Sequence, residues 1–190
     1  MTPEHAIDTV WFGWLMSWTV AMFWANRAEK RDPVWPEIVF RVLLCAGLIL
    51  LFVTPGGPHF AKTRLWRLAD TSDWILVAVT ACGLLFAWWA RIHLGRLWSD
   101  LVVKKADHRI VNSGPYRLVR HPIYSGLDLA VTATAIHRGT VLALLGGLLV
   151  TLAFYLKARR EERFLRTELG EDAYDAYARK TPMLLPFVRV

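Results

Sequence analysis

The stretch Gly114–Gly126, GPYRLVRHPIYSG, is polar and rich in turn formers, and membrane-type apolar sequence lies on both sides of it. It contains two tyrosines, two arginines and one histidine. Connecting segments on a rigid scaffold often carry binding and catalytic side chains, so we expect this stretch to supply half of a functional site. Pro122 suits the first position of a helix, and the residue before a proline disfavours helical geometry. His121 is therefore predicted at the helix cap, with Tyr124 less than one turn inside.

The sequence after this stretch predicts an antiparallel helical hairpin. A helix over residues 122–136 is followed by a turn at Gly139 and by a long helix over residues 140–169. In such a hairpin the start of the first helix lies beside the end of the second. Tyr124 is therefore expected at the same depth as the charged run 157–162.

Apolar sequence before the stretch predicts further membrane helices. The chain has 190 residues, of which 55% are hydrophobic, and several apolar runs approach the length that a membrane crossing requires. Three such runs precede the opening stretch, at residues 7–25, 37–54 and 73–90. With the hairpin, they predict an all-α integral membrane protein with about five transmembrane helices.

Charge and its distribution narrow the class of protein. The chain has 23 Lys and Arg against 16 Asp and Glu, a net charge of +7, and the cations gather at the ends of apolar runs and in the C-terminal half. This pattern is typical of membrane topology, and no nucleic-acid-binding module accompanies it. No Lys or Arg precedes Arg27. We therefore expect the N-terminus outside and the C-terminal region at the cytoplasmic face of the inner membrane.

Other common sites are not indicated. Cys45 and Cys82 lie inside apolar runs, and the six histidines are scattered, so neither a disulfide framework nor a metal site is expected. No strand, glycine-rich turn and helix follow one another, which argues against a Rossmann fold. Asp128 is the only charge clearly within a predicted span, and a single carboxylate makes a poor transport path. It is expected to line the same pocket or to hydrogen-bond a neighbouring helix.

A polar cluster is thus predicted at the membrane edge. It comprises His108, Tyr116, Arg117, Arg120, His121 and Tyr124, facing Lys157, Arg159, Arg160, Glu161 and Glu162. On the residues alone, a ligand site and an interfacial belt of charges both remain open. In the second case the two glutamates would pair only with arginines of their own helix.

Four motifs carry a resemblance to a known family. They are RIHLGRLWSD at 91–100, DHRIVNSG at 107–114, the opening stretch, and RREERFLRTELGEDAYDAYARKTPMLLPF at 159–187. Together they resemble the isoprenylcysteine carboxyl methyltransferase family, which is related to the membrane phospholipid methyltransferases. Members are integral membrane enzymes that use S-adenosylmethionine without a Rossmann fold. The apolar runs predict three N-terminal transmembrane helices over 1–90, and the resemblance covers about Ala90 to Phe187. It implies a catalytic region over 91–190, with the hairpin 122–169, a C-terminal amphipathic segment and a small cytosolic cofactor-binding region.

The resemblance also implies site residues. Matching positions would place the following residues around S-adenosylmethionine: Lys104, His108, Arg109, Ile110, Val111, Tyr116, His121, Pro122, Ile123, Tyr124, Glu161 and Glu162. A tyrosine face suits the sulfonium, and a glutamate suits the ammonium or the ribose hydroxyls. Lys157, Arg160 and Glu161 are implied as catalytic. Lys157 stands where the family has an arginine that handles the substrate, so the charge is kept but the planar fork is lost.

The implied function is methyl transfer to a lipophilic acceptor in the membrane. A carboxylate such as that of a prenylated cysteine is already ionised and needs no base. The first alternative is a phospholipid or other amine, which would need a base to remove a proton. The second is a non-catalytic scaffold that binds lipid. Expected partners are a lipophilic or lipidated substrate and membrane lipids, with neither nucleic acid nor metal.

Overall fold

The computed structural model describes residues 1–22, 30–31, 34–52, 64–95, 103–104 and 111–188. Within these ranges the side chains of Met22, Lys30, Arg31, Val34, Val103, Lys104 and Leu169 are not described. The α-helices are α1 (Pro3–Met22), α2 (Val34–Phe52), α3 (Asp70–Leu94), α4 (Pro122–Arg138), α5 (Val141–Leu169) and α6 (Glu171–Lys180). A 3-10 helix at Gly114–Arg117 precedes α4. A short antiparallel ribbon pairs β1 (Lys30–Arg31) with β2 (Val103–Lys104).

Helices α1 to α5 run back and forth between two ends of a bundle. At one end, the start of α1 meets the end of α4, where Arg138 contacts Asp8 at 2.5 Å. At the other end, the guanidinium of Arg91 in the last turn of α3 donates to the carbonyl of Ala21 near the end of α1 at 3.0 Å. The predicted hairpin is confirmed, since Gly139 ends α4 in the left-handed conformation, with φ 60°. The start of α4 and the end of α5 therefore share the second end.

The prediction of an all-α membrane protein is confirmed, but the number of about five crossings is not. Within the described ranges, three helices are long and apolar enough to cross a bilayer: Trp35–Phe52, Asp70–Leu94 and Val141–Glu168. Helix α4 has only 17 residues. Helix α1 begins at Pro3, earlier than expected, and so also includes the carboxylate of Glu4.

Two glycine pairs bring the helices into backbone contact. A Cβ added at Gly83 of α3 would lie 2.5 Å from the carbonyl oxygen of Gly126 in α4. A Cβ added at Gly146 of α5 would lie 2.6 Å from the carbonyl oxygen of Gly47 in α2. Small residues allow such close crossings in lipid, where association depends on packing. These crossings fix α4 against α3 and α5 against α2.

Polar groups inside the bundle are paired between helices. The indole of Trp11 in α1 donates to the hydroxyl of Thr134 in α4 at 3.0 Å. The hydroxyl of Thr151 in α5 donates to the carboxylate of Asp128 in α4 at 2.5 Å. Asp128 therefore makes the interhelical hydrogen bond that was one of its two expected roles. Both bonds satisfy groups that would be costly to leave unpaired away from water.

Candidate functional site

The start of α4 is held in place by the C-terminal segment 181–188, here called the C-terminal strap. Its backbone lies along Arg120–His121: the amide of Arg120 donates to Pro182 O at 2.8 Å, and the amide of His121 donates to Met183 O at 3.1 Å. His121 is the N-cap residue of α4, as predicted, but its side chain makes no capping hydrogen bond. The imidazole is instead directed at α5.

His121 lies between two carboxylates of α5. Its Nδ1 is 3.4 Å from Glu161 Oε2, and its Nε2 is 3.5 Å from Glu162 Oε1. These are ion-pair distances, and Nε2 is buried with no hydrogen-bond partner of good geometry. Burial alone would lower the pKa of His121, but the two carboxylates outweigh it and raise the pKa above its ordinary value. The site therefore favours the imidazolium, which can serve both glutamates.

Tyr124 joins α4 to α5 through its hydroxyl and its ring. The phenol donates to Glu161 Oε1 at 2.5 Å. The ring stacks on His121, with centroids 5.7 Å apart, and on Phe154 of α5, with centroids 5.3 Å apart. The result is a stack of three rings beside a carboxylate. A π face next to an anion is a suitable environment for a cationic ligand.

Arg120 links Glu162 to the C-terminal region. Its Nε contacts Glu162 Oε1 at 2.6 Å, and its Nη1 donates to the carbonyls of Ala178 and Thr181 at 3.0 and 2.5 Å. The side chain is only 9% exposed. Arg120 therefore holds the end of α6 and the C-terminal strap against the start of α4.

A second set of charges lies on the side of α5 that faces α2. Lys157 is buried, and its Nζ is 3.9 Å from Glu37 Oε1 and 4.1 Å from the centroid of the Phe40 ring. Arg160 Nη1 is 3.6 Å from Glu37 Oε2. The predicted catalytic cations Lys157 and Arg160 are thus brought together by a carboxylate from α2. Lys157 is also close enough to Glu161 to interact with its charge.

Several predicted cofactor residues lie behind these charges. Ile123 and Tyr116 are buried in a small apolar cluster with Ala90 of α3, and Val111 packs against it. The Tyr116 hydroxyl reaches the carbonyl of Ala90 at 3.5 Å. Burial, with Glu161 nearby, raises the pKa of the Tyr116 phenol, which therefore stays neutral. Pro122 is also fully buried. These residues support the start of α4, and their contact with a cofactor stays a prediction.

The remaining predicted residues are described in part or not at all. His108, Arg109 and Ile110 lie outside the described residues. Lys104 is described by its backbone, which pairs with Lys30 in the ribbon.

The pairing of the glutamates bears on the belt interpretation. Glu161 and Glu162 contact Tyr124, His121 and Arg120 across the helix interface. Arg166 of their own helix instead contacts Asp175 of α6 at 2.9 Å. An interfacial belt whose glutamates pair only within α5 does not describe this arrangement.

Two residues central to the site were missed by the sequence analysis, Glu37 and Phe154. Phe154 lies seven residues before Glu161, so helical periodicity places both on one face of α5. Glu37 is the acidic residue in the first turn of an apolar helix. A lone acidic residue at the start of an apolar helix is visible in the sequence, whereas its burial and its contacts with α5 are not.

The sequence profile of the isoprenylcysteine carboxyl methyltransferase family matches residues 75–167. A probable protein-S-isoprenylcysteine O-methyltransferase of Oryza sativa subsp. indica is 34% identical over 113 residues, covering 59% of this chain and 53% of that protein. The Schizosaccharomyces pombe protein-S-isoprenylcysteine O-methyltransferase is 32% identical, over 52% of this chain and 43% of its own length. Methanethiol S-methyltransferase 2 of Bradyrhizobium diazoefficiens is 31% identical, over 76% of this chain and 58% of its own length. The chain thus spans about half the length of the curated relatives that it matches.

Proposed function

We propose that this chain, an integral membrane protein of the isoprenylcysteine carboxyl methyltransferase family, transfers a methyl group from S-adenosylmethionine to the carboxylate of a lipophilic acceptor, such as a prenylated cysteine. One observation carries the proposal: Glu161 near the end of α5 meets Tyr124 and His121 at the start of α4. Together they form a ring-lined site with a carboxylate at one end of the bundle.

The residues around Glu161 fit S-adenosylmethionine chemically. The donor supplies a methyl group on a positively charged sulfur and also carries an ammonium group. Glu161 and Glu162 are carboxylates suited to that ammonium or to ribose hydroxyls, and the ring of Tyr124 suits the sulfonium. The buried Nε2 of His121, which has no hydrogen-bond partner of good geometry, is a further polar atom that a ligand can satisfy.

The cations on the side of α2 suit the acceptor. Lys157 and Arg160 would hold an acceptor carboxylate in line with the methyl group. Positioning of this kind accounts for a large part of the lowering of the activation barrier in a displacement reaction. The acceptor oxygen would form the new bond to the methyl carbon as the carbon–sulfur bond breaks, with its electron pair left on sulfur. No proton moves, so this reaction needs no general base. Burial of Lys157 keeps this side of the site dry, which strengthens its hold on an anion.

A thiol acceptor is the second candidate. The methanethiol S-methyltransferase relative aligns with a larger share of this chain, 76%, than the isoprenylcysteine relatives from rice and yeast, 59% and 52%. A thiol must lose its proton before it attacks, and neighbouring cations favour the thiolate. Lys157 and Arg160 would serve a thiolate as they would a carboxylate.

We place the donor site at the cytoplasmic face of the inner membrane. The N-terminus lies at the opposite end of the bundle, where Asp8 contacts Arg138. The end that carries the site has five arginine and lysine residues within residues 157–166. Positive charge next to membrane helices favours the cytoplasmic side.

Transfer of a labelled methyl group from S-adenosylmethionine tests the proposal. Purified protein in detergent is offered a prenylated N-acetylcysteine, a long-chain thiol and a phosphatidylethanolamine. We expect label in the prenylated cysteine that alkali releases as methanol, because a methyl ester is base-labile whereas methylated amines and thioethers are not. Glu161→Gln should abolish this label, while Glu171→Gln, whose carboxylate is 71% exposed, should not. Label found only in the thiol would favour the second candidate over carboxyl methylation, and label found only in the phospholipid, or in no acceptor, would contradict both.

A further inference from the structure

Glu37 is a buried carboxylate from a part of the chain that the family profile does not match. It lies in the first turn of α2, and the residue is only 7% exposed. The profile matches residues 75–167, so the comparison assigns Glu37 no role. Its carboxylate nevertheless reaches the two cations expected to hold the acceptor.

The contacts of Glu37 are unequal. Its hydrogen bond is to Arg41, one turn further along α2, with Oε1 at 3.1 Å from Nε. The distances to Arg160 and Lys157 are longer, at 3.6 and 3.9 Å, and Oε2 is buried with no hydrogen-bond partner. The Arg41 side chain is 55% exposed. Glu37 is therefore bonded within its own helix, while its attraction to the buried cations is electrostatic and loosely arranged.

The charges explain why a carboxylate belongs there. Lys157, Arg160 and Arg41 bring three positive charges within 4 Å of the single negative charge of Glu37. The neighbouring set of Glu161, Glu162, Arg120 and protonated His121 is neutral as a whole. Two cations buried together without an anion would be costly, since each has lost much of its hydration.

Building on the proposed function, we propose that Glu37 is a specificity-determining residue that stands in for the anionic group of the acceptor. In the acceptor-free protein it stabilises Lys157 and Arg160. When a monoanionic acceptor binds these cations, Glu37 is left with its hydrogen bond to Arg41. Two cations at this position favour an anionic acceptor, a carboxylate or a thiolate, and disfavour a cationic amine.

This role makes two substitutions act in opposite directions on the binding of an anionic acceptor. Glu37→Gln keeps the shape but removes the competing charge, so a prenylated N-acetylcysteine should bind about fivefold more tightly. Arg41→Gln removes the alternative partner of Glu37 and strengthens its hold on Lys157 and Arg160. The same probe should then bind about fivefold more weakly. The methyl ester of the probe carries no charge, so neither change should alter its binding.

Titration calorimetry with the acid and with its methyl ester measures these shifts, and S-adenosylmethionine is titrated in parallel. Its Kd should stay within about twofold in both variants, because Glu37 lies on the acceptor side. A purely structural role for Glu37 predicts a lower Tm without opposite shifts, and that result would overturn the inference, as would equal shifts for acid and ester. If Glu37→Gln does not fold, the sign of the Arg41→Gln shift decides, since Arg41 is half-exposed.

Binding and catalysis separate the two proposals. If the two variants show the opposite shifts in acid binding but the wild type transfers no methyl group, the role of Glu37 is retained and the proposed function is lost. If the wild type methylates the acid but the variants do not show the opposite shifts, the proposed function is retained and the role of Glu37 is lost. Failure to bind the acid at all overturns the inference directly.

Discussion

Removal of the Tyr124 hydroxyl should weaken donor binding by about tenfold. The phenol donates to Glu161 at 2.5 Å, and a hydrogen bond to a charged group contributes about 1.5–3 kcal/mol. Glu161 keeps its contact with His121 at 3.4 Å, so the low end of that range applies. A loss of about 1.4 kcal/mol corresponds to a tenfold change in Kd. Tyr124→Phe keeps the ring, so the stacking on Phe154 should survive.

Titration of purified Tyr124→Phe with S-adenosylmethionine measures this loss as an increase in Kd. Tyr155→Phe is the matched control, because the same hydroxyl is removed from a residue of α5 that is 42% exposed. The Kd of Tyr155→Phe should equal that of the wild type, and the Tm of Tyr124→Phe should be the lower of the two, because the lost hydrogen bond is also present without donor. If Tyr124→Phe binds the donor as tightly as Tyr155→Phe, the hydroxyl does not position Glu161 for the donor, and the reasoning fails.

Three further predictions concern stability. Because the pKa of His121 is raised in the folded protein, the imidazolium stabilises the fold. This stabilisation is complete below the ordinary pKa of 6.5 and is lost as pH rises through the folded-state pKa of His121. The Tm of the wild type should therefore fall over that interval relative to His121→Asn, and parallel pH profiles would refute this. Gly83→Ala puts a Cβ 2.5 Å from a backbone oxygen and should cost about 1–3 kcal/mol, seen as a lower Tm, whereas Gly13→Ala meets nothing within 4 Å and should cost nothing. Arg120→Lys loses the fork that links Glu162 to the carbonyls of Ala178 and Thr181. Hydrogen exchange in α6 should then rise about tenfold, and exposed Arg163→Lys should leave it unchanged.

The hairpin and its consequence were predictable from the sequence. A turn at Gly139 and two helices of suitable length require that Tyr124 and Glu161 lie at one depth, and their side chains do meet. Local patterns also located the cap at His121, because Pro122 restricts the residue before it. These features depend on interactions that are close in sequence or fixed by one turn.

The contribution of α2 was not predictable in the same way. Glu37 reaches Lys157 because α2 packs against α5, and that pairing depends on the close approach of Gly47 and Gly146. The local sequence of each helix does not determine which other helix it packs against. The C-terminal strap is similar, since Pro182 and Met183 act through their carbonyls. Side-chain patterns carry little information about such backbone bonds.

Calorimetric titration of S-adenosylmethionine into wild-type protein and Glu161→Gln tests the central claim most directly, namely that the start of α4 and the end of α5 together hold a methyl donor. The wild type should bind, and Glu161→Gln should bind at least about thirtyfold more weakly, which corresponds to a loss of about 2 kcal/mol. Glu171→Gln, which alters a carboxylate 71% exposed at the start of α6, should bind like the wild type. Equal affinity in wild type and Glu161→Gln, or no binding by the wild type, would contradict the claim.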